Sequence, residues 1–211
     1  ISCRVFIDCT GDGILSVLAG AEYEAGAPES KINQPMSLRY LLGGVDKKKL
    51  GQFFDSLKDP NTAQSGKDGK NLYADVTNKR VSGLTPFFEK AIEAGELVYE
   101  DMVYWQLFDV PGRTDGVALN NPEFFEYTDA CDPKQLTQIH LKGKQVILRQ
   151  LNFYKKYFPG CENAYVSNIS AMVGVRESRR ILGEYELTLD DLLTGRRQPD
   201  GVCECAFNVD I

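Results

Sequence analysis

Two short stretches of the chain carry residue types whose spacing suits chemistry at a bound small molecule. The first is "DCTGDG", residues 8–13, between the apolar run "VFI" and "ILSVLAG". Glycines at 11 and 13 give the backbone a tight path and let a ligand come close. A helix start beside a strand end presents free N–H groups, which suit a phosphate. Thr10, Gly11, Asp12 and Gly13 are therefore candidate cofactor-binding residues. An ordinary tight turn, with Asp12 capping the helix or facing solvent, fits the same letters. The full G-x-G-x-x-G fingerprint occurs nowhere in the chain.

The second stretch is "GVRESRRILGEYELT", residues 174–188. With 176–181 as one helical turn or a tight bend, Arg176 faces Arg179 and Arg180, and Glu177 reaches Arg180. Three guanidiniums beside one carboxylate leave surplus positive charge, and arginine's rigid fork suits a carboxylate or phosphate. Arg176, Glu177 and Arg179 are candidates for holding a substrate or supporting the groups that do. A structural ion-pair network tying a helix to a sheet is the competing reading.

Other chemistry finds little support. His140 is the single histidine, and no sequence neighbour nominates it as a base. The six cysteines at 3, 9, 131, 161, 203 and 205 include only the C-x-C of 203–205, so a zinc site would need distant segments folded together. Buried free thiols are the simpler expectation, and no metal site is expected. No nucleophile elbow, H-E-x-x-H or P-loop is present. Asp190 and Asp191 are helix neighbours that point apart, so they make no acid–base pair. No catalytic residue is nominated.

The elements that must position these residues follow from periodicity and turn signals. "CRVFID" reads as a strand running into Asp8, and "GILSVLAG" as a helix ending at Gly20. Residues 36–45 read as a strand of a new sheet. The polar stretch 55–80 reads as exposed, and "TPFFEKAIEAGEL" as a helix with Pro86 in its first turn. Residues 103–113 are strand-like, with Tyr104, Trp105 and Phe108 covering a sheet face or lining a ring-binding surface. The longest helix spans 133–157 and tolerates Gly143. Residues 164–175 are extended, Thr188 with Asp191 forms a capping box, and 201–211 alternate as a final strand.

Bulk properties bound the function classes. The chain has 211 residues, 43% hydrophobic and 26% charged, with a net charge of -6. Interspersed charges of net negative sign exclude a phosphate-neutralising nucleic-acid surface. No run of about 20 apolar residues could span a bilayer, and no signal-peptide pattern opens the chain.

The two motifs together resemble a known group. "VFIDCTGDGILSVLAGAEYEAG" (5–26) is similar to the segment in which FAD-dependent oxidoreductases of the glutathione-reductase-like flavoprotein superfamily return to the dinucleotide-binding domain. "GVRESRRILGEYELTLDDLLTGRRQPDGV" (174–202) resembles the late G-x-R-E-[ST]-R-R-I-x-G-x-Y-x-L-T signature of the FAD-dependent oxidoreductase family. "YKKYFPGCENAYV" and the terminal "FNVDI" resemble it too, whereas 45–130 do so only loosely. Cys9 stands where a small turn residue is usual, and Ile14 where a polar one is common.

The resemblance implies an α+β (mixed α/β) fold: a partial dinucleotide-binding-domain element in 1–28, then a mixed sheet-and-helix substrate domain in 29–211, with 45–80 an exposed excursion. It implies FAD as cofactor, with Thr10–Gly13 near its ribose-pyrophosphate end. Arg176, Glu177 and Arg179 would order the substrate-domain side of the flavin cleft. The family's glycine fingerprint and its closing segment are not among these residues, so the chain is expected to be an excised, inactive portion with weak or absent FAD binding. Its partners would be the remainder of the FAD-binding domain in the same polypeptide and a small or carbohydrate-like substrate, with no nucleic acid. A non-catalytic binding module is the alternative from another class.

Overall fold

The computed structural model describes residues 2–65 and 71–204. Cys205 and the terminal "FNVDI" lie outside the described residues. In chain order the first elements are α1 (Ile14–Leu18), β1 (Tyr23–Ala25), β2 (Met36–Ser37), β3 (Tyr40–Gly43), α2 (Lys47–Ser56), β4 (Ala63–Gln64), β5 (Tyr73–Thr77) and α3 (Thr85–Glu93). They are followed by α4 (Glu100–Val103), β6 (Tyr104–Asp109), β7 (Val117–Leu119), β8 (Glu123–Phe124), α5 (Pro133–Tyr157), β9 (Tyr165–Ile169), β10 (Arg179–Ile181) and α6 (Leu189–Thr194). The chain divides into a central unit, Ala25–Arg179, and a split unit built from Ile1–Glu24 and Arg180–Ile211.

The central unit is organised by a six-stranded sheet of order β4-β5-β6-β7-β3-β9, whose ladders are antiparallel. Side chains alternate across a strand, so one face of this sheet is apolar and the other mixed. Leu42, Ala74, Val76, Trp105, Leu107, Val117 and Leu119 are buried. Their neighbours Leu41, Gln106 and Ala118 are only half-buried, and Phe108 is exposed.

Helices cover the apolar face. Asp132 caps α5 by accepting from Lys134 N at 2.9 Å, with Pro133 suited to the first turn. The helix then buries Ile139, Gly143, Val146, Ile147, Gln150, Phe153 and Tyr154, a stripe at 3–4 residue spacing. Aromatic rings fill the interface: Phe88 lies 4.6 Å from Phe153 and 5.4 Å from Trp105, centroid to centroid. Burying each such ring stabilises the fold by roughly 1.5–3 kcal/mol.

A buried polar chain fixes how α5 meets the sheet. The Trp105 indole N–H can only donate, and it reaches the Tyr154 hydroxyl at 2.8 Å. At the other end the Asp101 carboxylate can only accept, and it takes Gln150 Nε2 at 3.1 Å. Gln150 therefore turns Oε1 toward the tyrosines, where Tyr40 donates to it at 3.0 Å. Tyr40 in turn faces the Tyr154 hydroxyl at 2.8 Å. Donation is thus fixed at both ends, from Trp105 to Tyr154 and from Gln150 to Asp101, with Gln150 Oε1 also accepting from Asn121 at 2.7 Å. Burial pushes both tyrosine hydroxyls well above their ordinary range, so they keep the protons the chain needs.

Several expectations change. Residues 3–8 form no assigned strand; no ladder partner pairs with them among the described residues, and Val5 and Ile7 are 73% and 80% exposed. The fold is mixed α/β with antiparallel ladders in the central unit, and no parallel dinucleotide-binding arrangement is seen among the described residues. The stretch 45–80 is not an exposed excursion: Leu50, Phe54, Ala63, Leu72, Ala74 and Val76 are buried, because α2 covers the sheet and β5 is an inner strand. Residues 180–204 cluster with the N-terminal segment rather than with 29–179. Of the aromatic trio, only Trp105 is core; alternation sends Tyr104 and Phe108 to the opposite face.

Two outcomes are expected. Tyr154→Phe leaves the Trp105 N–H without its acceptor and lowers unfolding free energy by about 1–3 kcal/mol, read by denaturant titration. At Gly143 a Cβ would stand 2.6 Å from Leu38 Cδ2 and 3.3 Å from the Phe124 ring, both buried. Overpacking, about 1–3 kcal/mol, then outweighs the roughly 1 kcal/mol helix-propensity gain. Gly143→Ala should accordingly lower the melting temperature.

Candidate functional site

In the split unit the 8–16 turn is organised by Asp8. Its Oδ1 accepts from Thr10 N at 3.0 Å and Thr10 Oγ1 at 2.8 Å. Its Oδ2 accepts from Ser16 N at 2.8 Å and Ser16 Oγ at 2.9 Å. Thr10 Oγ1 then accepts from Ile14 N at 2.9 Å. These donors, the Ser16 amide foremost, hold the Asp8 carboxyl well below the usual carboxylate range. Asp12 is not the helix cap: Gly13 occupies that position, left-handed at φ 61°, and Thr10 and Asp8 take the helix-start amides.

Gly13 also joins the two sequence motifs. A Cβ there would stand 2.7 Å from Ile181 Cδ1, so only glycine lets β10 come this close. β10 pairs with β1, and Leu182 N donates to Glu22 O at 3.0 Å. Arg180 lies 3.7 Å from Glu24. The "GDG" turn and the end of "RESRRI" are thus neighbours. Further on, Thr188 and Asp191 form the expected capping box. Tyr185 donates to Asp191 at 2.5 Å, and Asp191 is held below the usual range by that bond and by Thr188.

The arginine stretch is extended rather than helical, because 179–181 is β10. Arg176 pairs with Glu123 at 3.2 Å, and Glu177 accepts from Gln34 N at 2.9 Å. Burial raises the Glu123 carboxyl, against the opposing pull of Arg176 and Arg39. Arg176 and Glu177 thus pin this segment to the central unit's own chain. Arg179 is half-buried.

Sequence reasoning missed the open face of the six-stranded sheet. A cleft of about 520 Å³ lies on it, with Arg39, Leu41, Phe108, Ala118 and Asn120 among its lining. Asn120 Nδ2 donates to the Tyr104 hydroxyl at 3.2 Å and to Gln106 Oε1 at 2.8 Å. The signal was the two-residue alternation of "LRYLL" and "YWQLF", which sets Arg39, Leu41, Gln106 and Phe108 opposite the core. A second cleft, about 450 Å³, opens beside α5 and includes Asp101, Glu123, Lys142 and Arg149. Both of its cations are taken up by carboxylates in the same lining: Arg149 forks onto Asp101 with both bonds at 3.0 Å, and Lys142 pairs with Glu126.

His140 is half-buried on α5 with no hydrogen-bond or ionic partner among the described residues. Cys3, Cys9, Cys131, Cys161 and Cys203 are free thiols. Burial pushes Cys161 up to about 12. No cluster able to hold a metal ion is found among the described residues, and none of their helices is long and apolar enough to cross a membrane.

A family model described as "FAD dependent oxidoreductase" matches residues 1–211. The chain belongs to the FAD-dependent oxidoreductase family. Comparison with curated proteins returns no match, and comparison with solved structures returns none. Family membership makes Thr10–Gly13 the residues to test against the cofactor. Thr10, Ile14 and Ser16 amides are already occupied, and the ionised Asp8 sits under the turn. This donor set does not suit a dianionic pyrophosphate at close range. Gly11, at φ 77°, has open space beside it.

Asp8→Asn replaces one accepting oxygen by a donor and frees the Thr10 or the Ser16 pair. Faster amide exchange at those residues, with α5 unchanged, is the expected result. Because the folded carboxyl is held low, the clamp is complete through and above the ordinary carboxylate range and is lost only as pH falls below it. Exchange measured along an acid titration checks this.

Proposed function

We propose that this chain is the substrate-side portion of an FAD-dependent oxidoreductase, in which hydride or electrons pass between FAD and a small or carbohydrate-like substrate. The central unit supplies the substrate face, and the 8–16 turn of the split unit contributes to the FAD side. Bound FAD supplies the redox chemistry, while the protein orients groups and excludes water. Thr10, Gly11, Asp12 and Gly13 meet FAD through its hydroxyl-bearing part. Arg176 and Glu177 act as positioning residues that fix the segment leading to β10, with Arg179 beside them on the substrate-domain side.

The observation that carries this reading is the exposure of large apolar side chains among the described residues of the split unit. Helix α1 buries no residue, and Asp191 is the one residue α6 buries. Val5, Ile7, Leu18 and Leu193 are each at least 73% exposed. Large apolar side chains left this exposed on one unit suit a contact. Their proposed cover is the remainder of the FAD-binding domain in the same polypeptide, which also completes the cofactor site; this chain by itself is then inactive and holds FAD weakly.

The test is flavin retention after desalting, read from the visible spectrum and fluorescence quenching. The 211-residue chain alone is expected to retain little FAD, and the full polypeptide about one equivalent. Stoichiometric flavin on the chain alone would overturn the incomplete-site reading. A full polypeptide that never binds flavin would overturn the FAD reading itself.

A further inference from the structure

The open face of the central sheet has a chemistry that selects its ligand. We propose that it binds a small amphipathic carboxylate, with Arg39 as the anion anchor and the row Leu41, Ala118 and Phe108 as the apolar seat. The inference deepens the substrate-side reading given above and rests on it for its biological sense, although the binding itself needs no flavin.

Register builds the seat. Leu41 and Phe108 are both cross-strand partners of Ala118, one on each side. A methyl group between two large side chains leaves a depression in the row, and the cleft of about 520 Å³ lies over it. The row continues into Tyr73, the partner of Phe108, whose ring stands 5.6 Å away. A flat apolar body, such as a phenyl ring, fits over Ala118 between these walls.

Charge defines the other end. Arg39 is the one charged side chain lining the cleft. It is exposed, and no hydrogen bond or ion pair engages its guanidinium among the described residues. The carboxylate that feels it, Glu123, is already paired with Arg176 at 3.2 Å. With Glu123 taken up by Arg176, the Arg39 charge in the cleft lining has no carboxylate of that lining against it. Arg80 is neutralised by Asp75, which alternation on β5 sets on the same side as Phe108 and Gln106.

Arg39 precedes Leu41 by two positions on the same face, about 7 Å along the strand. A ligand therefore needs its anion a few bonds from its apolar body. Asn168 and Ser170, also in the lining, offer neutral hydrogen bonds beside Arg39. A single cation suits a monocarboxylate better than a polyphosphate, and a guanidinium fork grips a carboxylate with two parallel bonds.

The probes are 3-phenylpropionate and its neutral isostere 3-phenylpropionamide, titrated calorimetrically into the purified chain. The carboxylate is expected to bind at least about tenfold more tightly than the amide, the scale of one charge-assisted contact. Arg39→Gln should bring it down to the amide's level, and Ala118→Leu should weaken both by filling the seat. Circular dichroism and melting temperature confirm that each variant is folded. Should a variant fail to fold, the wild-type comparison decides alone, because added salt must weaken the carboxylate and leave the amide unchanged.

Equal affinities, an unaltered Arg39→Gln, or no binding of either probe would each overturn the proposal. Flavin retention measured on the same samples separates the two readings. Carboxylate preference without flavin in the full polypeptide leaves this site standing and removes the FAD reading. Flavin without carboxylate preference does the reverse.

Discussion

The tyrosine–tryptophan–glutamine chain between α5 and the sheet is the constraint on which the central unit depends. A hydroxyl buried without a partner is costly, on the order of 1–3 kcal/mol. The chain has a donor-only end at Trp105 and an acceptor-only end at Asp101, which fixes the amide of Gln150 and makes Tyr154 an acceptor from the indole. The bonds hold only when Trp105 of β6, Tyr40 of β3 and the Gln150–Tyr154 turn of α5 stand in one register. Apolar packing alone would allow α5 to slide. The polar chain removes that freedom, and with it fixes which strand residues face away from the helices.

That outward face is therefore a by-product of the core. Once Tyr40, Leu42, Trp105 and Leu119 are committed inward, Arg39, Leu41, Gln106, Ala118 and Asn120 have nowhere else to point. The split unit is held by other means. Its turn is organised by a carboxylate gathering four donors, and its approach to β10 depends on the missing side chain of Gly13. One unit is built by buried rings, the other by surface hydrogen bonds, which explains why their apolar residues have such different fates.

Much of the local structure was legible because its signals are local. The long helix over 133–157, the Thr188–Asp191 capping box and the extended 165–169 each follow from caps, period or turn letters within a few residues. What was not legible depended on distant partners. "CRVFID" has strand letters but no ladder among the described residues, and 73–77 follows a polar stretch yet is an inner strand of the sheet. The arginine stretch invited a helical reading because local spacing cannot show that Arg176 answers to Glu123 and Glu177 to Gln34. The motif turn was found correctly as a turn, yet its cap was misassigned. Asp8, eight positions from Ser16, lies beyond the range in which capping patterns are read. The open-face cleft needed the register of β3, β7 and β6 together.

The meeting of Gly13 with Ile181 bears on how the chain acquires its shape. The halves of the split unit are separated by all of Ala25–Arg179. Bringing such remote segments together from an unordered chain carries a large loop-closure entropy, and contacts this far apart in sequence form slowly. A central unit that folds first, on its shorter-range hairpins and helices, turns most of that loop into a fixed span. Assembly of the split unit is then a late step, and its kinetics report on the central unit's success. A lesion at Tyr154, far from the motif turn, would delay the closing of that turn without touching any residue in it.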